Sequence, residues 1–185
     1  MKLRTDFVTN SSSSSFVAIA NGGKLNQLKA FVDKVRAECQ DGAVPYVAGL
    51  FDEDDDLGIG RGETEFGWEQ CLHSDVDSKL NYLLIQCGHC GCTDRIEQIK
   101  RVFADYTGVE LDTSFLIDKD MGELDHQSVS PEIVDVVFTN DGTLRSFLFN
   151  DDSVVIQGND NSDPEFNDLD EPYRDNKKHL FMDAF

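Results

Sequence analysis

Two apolar stripes at helical spacing, separated by a short turn, constrain the fold of this chain more than any other feature. The first stripe predicts a helix over residues 74–86, and the second predicts a helix over residues 93–107. Their apolar positions are Val76, Leu80, Leu83, Leu84 and Cys87 in the first and Ile96, Ile99, Phe103 and Tyr106 in the second. Ser74 suits the N-cap of the first helix, and Gly108 ends the second. Because the Gly-Cys turn between them is tight, the two helices are predicted to form a hairpin.

Further segments carry weaker helical or strand patterns. A helix is predicted over residues 24–39, where the apolar face consists of Leu25, Leu28, Val32, Val35 and Cys39. Ser130 followed by Pro131 predicts the cap and first turn of a short helix over residues 132–138. Residues 144–149 fit a helix or a strand. Branched and aromatic residues predict short strands over residues 16–20, 46–51, 65–71, 109–117 and 153–157.

The mixed order of these elements predicts an α+β fold with three to four helices packed on one small mixed sheet. At 185 residues and 39% hydrophobic composition the chain can bury one core, so we expect a single compact domain. We assign residues 1–158 to this core, with 1–15 as a polar leader. Residues 159–176 form an acidic irregular strap, and 177–185 form an apolar docking segment that fits a last helical turn or an edge strand.

The negative charge of the chain is large and gathered into runs. The chain has 36 Asp and Glu against 16 Lys and Arg, a formal net charge of -20. Five carboxylates follow one another at residues 52–56, and residues 159–176 hold seven acids against one Arg. Such a surface repels nucleic-acid phosphates and anionic lipids and attracts basic proteins. We therefore expect a basic nucleic-acid-binding protein as partner, with no direct binding to nucleic acid.

The chain shows no signal for a membrane or for export. No run approaches the ~18 apolar residues of a membrane span. The start Met-Lys-Leu-Arg resembles the basic end of a signal peptide, but polar residues from Thr9 to Ser15 stand where its apolar stretch belongs. Five cysteines, an odd number in a chain with an ample core, favour a reduced protein over a disulfide scaffold. We expect a cytoplasmic protein without a membrane partner.

The N-terminal stretch Asp6-Phe-Val-Thr-Asn-Ser-Ser-Ser-Ser-Ser-Phe16 carries a resemblance. It is similar to an N-terminal segment of otherwise different, uncharacterised proteins of anaerobic Gram-positive bacteria and their phages. The resemblance implies a phage, prophage or mobile-element gene, and it implies no fold or activity. Physically, the Asn and Ser side chains can bond to nearby backbone groups, which favours irregular structure before the strand at Phe16. A phosphate-binding loop would require glycines and a Lys, which this stretch does not have.

A group of cysteines and histidines is the main candidate for site chemistry. Cys71, His73, Cys87, Cys90 and Cys92 supply ligand types that Zn²⁺ prefers, and the C-x2-C spacing of Cys87 and Cys90 can turn two thiolates toward one ion. A structural zinc module usually has a second close pair, which is missing here. Alternatively, Cys71 and Cys87 are small buried apolar residues and Cys90 and Cys92 lie in an exposed turn. A third alternative is redox chemistry of a thiolate at the start of the following helix.

The acidic run also resembles a calcium loop in part. Asp52, Asp54, Asp56 and Glu63 stand at the spacing of four calcium ligands, but Leu57 occupies the position where the sharp turn requires Gly. We therefore favour a solvated acidic loop for these residues over a specific calcium site.

Residues 118–126 form a second dense polar group, with acids and His126 that could hold a catalytic divalent metal or simply form a polar turn. The chain contains no Gly-x-Ser-x-Gly or His-Glu-x-x-His motif, so no catalytic residue is assigned.

These observations favour one functional hypothesis over two others. In the first, the protein is an acidic inhibitor whose carboxylates mimic nucleic-acid phosphates and occupy the basic groove of a host defence protein, such as a CRISPR effector nuclease. The partner-binding residues would be Asp52, Glu53, Asp54, Asp55, Asp56, Asp160, Asp163, Glu165, Phe166, Asp168, Asp170, Glu171 and Tyr173. The alternatives are a zinc-stabilised or metal-dependent enzyme or accessory domain, and an interaction protein whose acidity is incidental.

Overall fold

The computed structural model describes residues 13–38, 46–47, 58–59, 65–66, 71–92, 94–108, 123–124, 129–159, 169, 171–174 and 177–183. The helices are α1 (Asn26–Glu38), α2 (Val76–His89), α3 (Asp94–Thr107), α4 (Pro131–Val137) and α5 (Asp141–Phe149). The strands are β1 (Ser13–Ala20), β2 (Tyr46–Val47), β3 (Gly58–Ile59), β4 (Glu65–Phe66), β5 (Cys71–His73), β6 (Glu123–Leu124), β7 (Val154–Asn159) and β8 (His179–Asp183). Helices and strands share one core, so the predicted α+β fold is confirmed.

Four strands form one antiparallel sheet in the order β5-β7-β1-β8. The strand β1 is central, because Val17 lies opposite Val155 of β7 on one side and opposite Met182 of β8 on the other. The pairs β2 with β3 and β4 with β6 are short and parallel. The sheet therefore joins a strand near the start of the chain to two strands from its last third.

Side-chain alternation gives the sheet two apolar faces. The inner face adds Val17, Ile19 and Val155 to the main core, which the helices complete. The outer face carries a second, smaller cluster made of Phe16, Ala18, Val154 and Ile156. Both faces are buried, so the sheet is covered on both sides.

Helix α2 lies at the centre of the main core. From Val76 to Cys87 every residue except Asp77 is buried. The carboxylate of Asp75 accepts a hydrogen bond from the amide of Ser78 at 2.7 Å, which makes Asp75 the N-cap instead of the predicted Ser74. The helix also continues beyond the predicted end at Gln86 to His89. The hydrogen bond from the Gly91 amide to the Gly88 carbonyl closes its C-terminal turn.

Aromatic rings fill the space between the outer helices. Phe103 of α3 contacts Phe31 of α1 edge to face, with ring centroids 5.2 Å apart. Phe149 of α5 contacts both rings, at 5.7 Å from Phe31 and 6.1 Å from Phe103. Helix α5 covers the segment 144–149, which fitted a helix or a strand in the sequence. The main core is thus sealed by helices that come from both halves of the chain.

The link between β7 and β8 has to cross the sheet. Both strands are antiparallel to β1, so they run parallel to each other and the chain must return to the starting end of the sheet. Of this link, Leu169 and Tyr173 pack against the outer cluster. Tyr173 also contacts the ring of His179, with centroids 5.1 Å apart, and Arg174 lies 5.6 Å above the Phe16 ring. Parts of the predicted strap therefore cover the outer face.

Several details differ from the sequence predictions. Strand β1 begins at Ser13, so residues 13–15 of the predicted leader belong to the sheet and pair with β7. The predicted strand 65–71 divides into β4 and β5, which pair with different partners. The sheet contains only antiparallel pairs, and the described residues form five helices.

Other predictions fall on residues that the structure does not describe. The predicted strand 109–117 and residues 48–51 lie outside the described residues. Strand β8 is an edge strand, one of the two placements considered for residues 177–185. The division into core, strap and docking segment stays a prediction. In the described part of the chain, no helix has the length and apolarity that crossing a bilayer requires.

Replacing Tyr173 with Ala should destabilise the fold, because this ring covers the outer cluster. We expect a loss of about 1–2 kcal/mol in the free energy of unfolding, measured by urea denaturation. Glu171→Ala removes an exposed neighbour on the same segment and should change stability by less than about 0.5 kcal/mol. Equal losses in both variants would contradict the packing role of Tyr173.

Candidate functional site

Three cysteines lie at the turn between α2 and α3. The amide of Cys92 donates to the carbonyl of Cys87 at 2.8 Å, and the amide of Gly91 donates to the carbonyl of Gly88 at 3.1 Å. Gly91 has a φ of +66°, which glycine adopts without strain. These bonds form a Schellman motif, in which the first and last residues, here Cys87 and Cys92, commonly contact each other.

The surroundings of Cys87 and Cys90 favour the protonated thiol. Burial raises the pKa of Cys87 to about 12, and the neighbouring Cys92 adds to the rise. Partial burial also raises the pKa of Cys90, followed by the effects of Cys92 and of the carboxylates Glu132 and Asp135 on α4. Zinc binds thiolates, so this environment opposes the ionisation that a zinc site requires.

The other two predicted zinc ligands lie on β5. His73 is buried against Phe66, with ring centroids 5.5 Å apart. Its Nε2 lies 2.8 Å from the amide nitrogen of Gln157. Since an amide nitrogen can only donate, Nε2 accepts this bond, and the lone pair that a metal would use is engaged. His73 therefore has a structural partner in β7.

The described residues do not assemble a metal centre. Within them, no three His, Cys, Asp or Glu side chains come close enough together to hold an ion. Cys71 and His73 are on an edge strand, whereas Cys90 and Cys92 are at the far end of α2. The zinc hypothesis therefore receives no support from these residues. The calcium-loop acids 52–56 and Glu63, and most of the group 118–126, lie outside the described residues.

A chain of buried hydrogen bonds crosses the core beneath the sheet. The hydroxyls of Ser15 on β1 and Tyr82 on α2 are 2.8 Å apart, and the amide of Gln86 donates to the Tyr82 oxygen at 2.8 Å. The side-chain oxygen of Gln86 in turn accepts a hydrogen bond from the backbone amide of Ser130, the N-cap of α4, at 3.0 Å. Burial raises the pKa of Tyr82 to about 12. Tyr82 is therefore neutral at physiological pH, and this chain links β1, α2 and α4 without a reactive group.

A fully buried lysine occupies the other end of α2. Lys79 Nζ donates to the carbonyls of Asn150 at 3.0 Å and Ser153 at 3.2 Å, in the turn between α5 and β7. Burial lowers the pKa of Lys79 to about 7, although Asp75 and Asp151 act in the opposite direction. An amine with this pKa can act as a nucleophile, but its contacts and complete burial give it a structural role here.

The turn that Lys79 holds is itself tied to β1. The Ser153 hydroxyl accepts the amide of Ala20 at 2.9 Å and donates to the carbonyl of Ser146 at 2.8 Å. The side-chain amide of Asn150 donates to the carbonyl of Gly22 at 3.0 Å. The end of β1, the start of β7 and the end of α5 thus meet at Lys79.

Negative charge is distributed unevenly along the sequence. Residues 52–56 and 159–176 together hold 12 Asp and Glu against one Arg, a net charge of -11 in 23 residues. The whole chain contains 36 acids and 16 bases, a net charge of -20. The other 162 residues therefore carry 24 acids and 15 bases, a net charge of -9, so more than half of the negative charge lies in these two runs.

Of the predicted partner-binding residues, the structure describes two. Glu171 is exposed, whereas Tyr173 is half-buried and its ring packs on the outer cluster. The other eleven, at 52–56, 160–168 and 170, lie outside the described residues, so their proximity to one another stays a prediction.

No family model matches the chain, and neither a curated protein nor a solved structure shows significant similarity to it.

The buried polar residues of α2 were missed by the sequence analysis. Lys79, Tyr82 and Gln86 lie at i, i+3 and i+7, so they share one helix face and resemble a solvated stripe. The aromatic Tyr82 in that stripe was the one signal that this face is also buried.

Replacing Lys79 with Met should remove a pH dependence of stability. The folded pKa of about 7 lies below the ordinary value of 10.5, so the unfolded chain binds more protons between these values. The free energy of unfolding of the wild type should therefore rise from pH 7 to 8.5, by up to about 1.4 kcal/mol per pH unit from this group. Urea denaturation across this range measures the slope.

The window ends at pH 8.5 because the raised pKa values of Cys87 and Tyr82 lower stability above their ordinary values of 9.0 and 10.0. Lys24→Met, at an exposed lysine, is the matched control and should keep the wild-type slope. A wild-type slope that persists in Lys79→Met would refute the assignment.

Tyr82→Phe should destabilise the protein more than Tyr106→Phe. The first change removes the oxygen shared by Ser15 and Gln86 and leaves both buried groups without that partner, a loss of about 1–3 kcal/mol. The second removes only the half-buried acceptor of Arg145, bonded at 2.7 Å, and should cost less than about 1 kcal/mol. Chemical denaturation of the two variants gives the comparison, and the reverse order would show that the buried chain is dispensable.

Proposed function

We propose that this protein is an acidic binding protein that inhibits a basic nucleic-acid-binding protein by occupying its nucleic-acid groove. A CRISPR effector nuclease is the example that the phage-like N-terminal stretch suggests. The acids of residues 52–56 and 159–176 would stand in for the phosphates.

The main support is the separation of charge within the chain. If acidity served only solubility, it would be spread evenly along the chain. Instead residues 52–56 and 159–176 carry -11 of the net charge of -20 in 23 of the 185 residues. The excess is concentrated in particular segments, as a protein that presents charge to a partner requires.

Ion pairs on the helices engage several acids that lie outside these two acidic runs. Each of the five pairs joins an acid of the described core to a base of the same core, so these carboxylates are already compensated. The pairs are Lys29–Asp33 at 2.5 Å, Lys34–Asp77 at 2.7 Å, Arg95–Asp135 at 3.5 Å, Lys100–Glu97 at 3.1 Å and Arg101–Asp141 at 2.8 Å.

The attachment of the strap to the sheet also supports the proposal. Leu169 and Tyr173 pack on the outer face, and Asp168, Asp170 and Glu171 are their neighbours in sequence. Anchored apolar residues reduce the entropy that acids between them lose when a partner binds. The strap would therefore present carboxylates from a supported position.

Neutralising the acidic run should weaken binding. In the test variant Asp52, Asp54, Asp55 and Asp56 become Asn, and the partner is drawn from purified basic proteins that include a CRISPR effector nuclease and a single-stranded DNA-binding protein. We expect affinity at low salt to fall about tenfold or more and its salt dependence to become shallower. Surface plasmon resonance at graded salt measures both, and added DNA or RNA should displace the wild-type protein.

The matched control neutralises four exposed core acids, Asp33, Glu97, Asp105 and Asp135, so both variants lose the same charge. Equal weakening by the two variants would mean that net charge alone drives association, which is the incidental-acidity alternative. A protein that binds none of the panel more tightly than a control of equal charge would remove the proposal.

A further inference from the structure

We propose that the turn between α2 and α3 is a thiol-oxidation site, at which Cys92 and Cys87 form a disulfide by exchange with a small-molecule disulfide such as oxidised glutathione. This inference is independent of the proposed function. It rests on the geometry of residues 87–92, all of which the structure describes.

The backbone places the two cysteines at disulfide distance. The hydrogen bond from the Cys92 amide to the Cys87 carbonyl measures 2.8 Å. Adding the Cα–C, C=O and N–Cα bond lengths to this distance gives a maximum separation of about 7 Å between the two Cα atoms, which would require all the bonds to be collinear. The bends at the carbonyl and the amide shorten the separation further, toward the range of roughly 4.4–6.8 Å that disulfides span.

The Schellman geometry also favours an approach of these two side chains, because a contact between the residues at the positions of Cys87 and Cys92 frequently accompanies this motif. Cys92 packs against the buried cluster that contains Cys87. The Cys92 thiol donates to the Cys90 carbonyl at 3.5 Å, so it must turn away from that oxygen to bond to Cys87.

Exposure gives the two cysteines different roles. Cys92 is only partly buried, so of this pair it is the cysteine that a small disulfide in solution would attack first. Cys87 is completely buried and can react only with a group inside the turn. Cys90 lies near α4, where its sulfur is 4.0 Å from Gln86 Oε1 and close to the carboxylates of Glu132 and Asp135. We therefore assign it no part in the bond.

The reaction has two exchange steps. The Cys92 thiolate, after losing its proton to water, attacks one sulfur of oxidised glutathione, forming a mixed disulfide and releasing one glutathione thiolate. The Cys87 sulfur then loses its proton and attacks the Cys92 sulfur, and the second glutathione thiolate leaves. Two protein thiols are oxidised to one disulfide, and one glutathione disulfide is reduced to two thiols. The two protons lost by the cysteines protonate the two released glutathione thiolates.

Mass spectrometry of the protein equilibrated in glutathione buffers tests the proposal. Trypsin cleavage after Lys79 and Arg95 releases one peptide that holds the three cysteines of the turn. As the share of oxidised glutathione rises, this peptide should lose the mass of two hydrogens and two of its alkylatable thiols. Cys92→Ser should abolish both the closed form and the glutathione adduct, whereas Cys90→Ser should close as the wild type does.

Cys87→Ala should stop at the mixed disulfide on Cys92, and circular dichroism checks that this core variant folds. If it does not fold, the half-exposed Cys92→Ser variant keeps the test valid. Closure that survives in Cys87→Ala but is lost in Cys90→Ser would place the bond between Cys90 and Cys92 and overturn the proposal. A wild-type peptide that keeps all its thiols in fully oxidised glutathione would overturn it as well.

Discussion

The enclosure of α2 on all sides is the constraint on which the rest of the structure depends. A helix buried on every face must satisfy each polar side chain inside the protein, because an unpaired buried group costs about 1–3 kcal/mol. Lys79 meets this requirement at the turn before β7, Tyr82 meets it at β1, and Gln86 meets it at α4. Each bond fixes a different element relative to α2. A shift of any of these elements would break a buried bond, which favours a single arrangement.

The density of negative charge differs between the acidic segments and the rest of the chain. Residues 52–56 and 159–176 carry -11 of the net charge of -20, so the rest of the chain is less negative per residue and meets less self-repulsion when it packs. The strap contains both apolar contacts and acids. Leu169 and Tyr173 pack on the outer face of the sheet, and acids lie between and beside them in sequence. Under the proposed function, changes to the strap's acids would alter association and leave the packing of Leu169 and Tyr173 on the sheet in place.

Local patterns predicted the helices better than the sheet. The spacing of apolar residues located α1 and α3 to within a few residues, because one face of each helix packs on the core while the other meets solvent. The segment 144–149 was ambiguous because it is short and four of its six residues are apolar, a pattern that both a buried helix and a buried strand produce. The pairing of β1 with β7 and β8 depends on contacts between distant residues, which no local pattern specifies. Likewise, the burial of Lys79 follows from tertiary packing, since a lysine on a polar stripe ordinarily faces water.

The central position of β1 makes the sheet a late product of protein synthesis. Residues bonded at the end of this strand, such as Ala20 and Ser153, are 133 positions apart. At translation rates of about 5–20 residues per second, β1 leaves the ribosome roughly ten seconds before its partners exist. During that time Phe16 and Val17 have no strand to pair with, and the helices made next can assemble only part of their core. A nascent chain of this protein thus carries an unpaired apolar strand until the residues of β7 and β8 have been made.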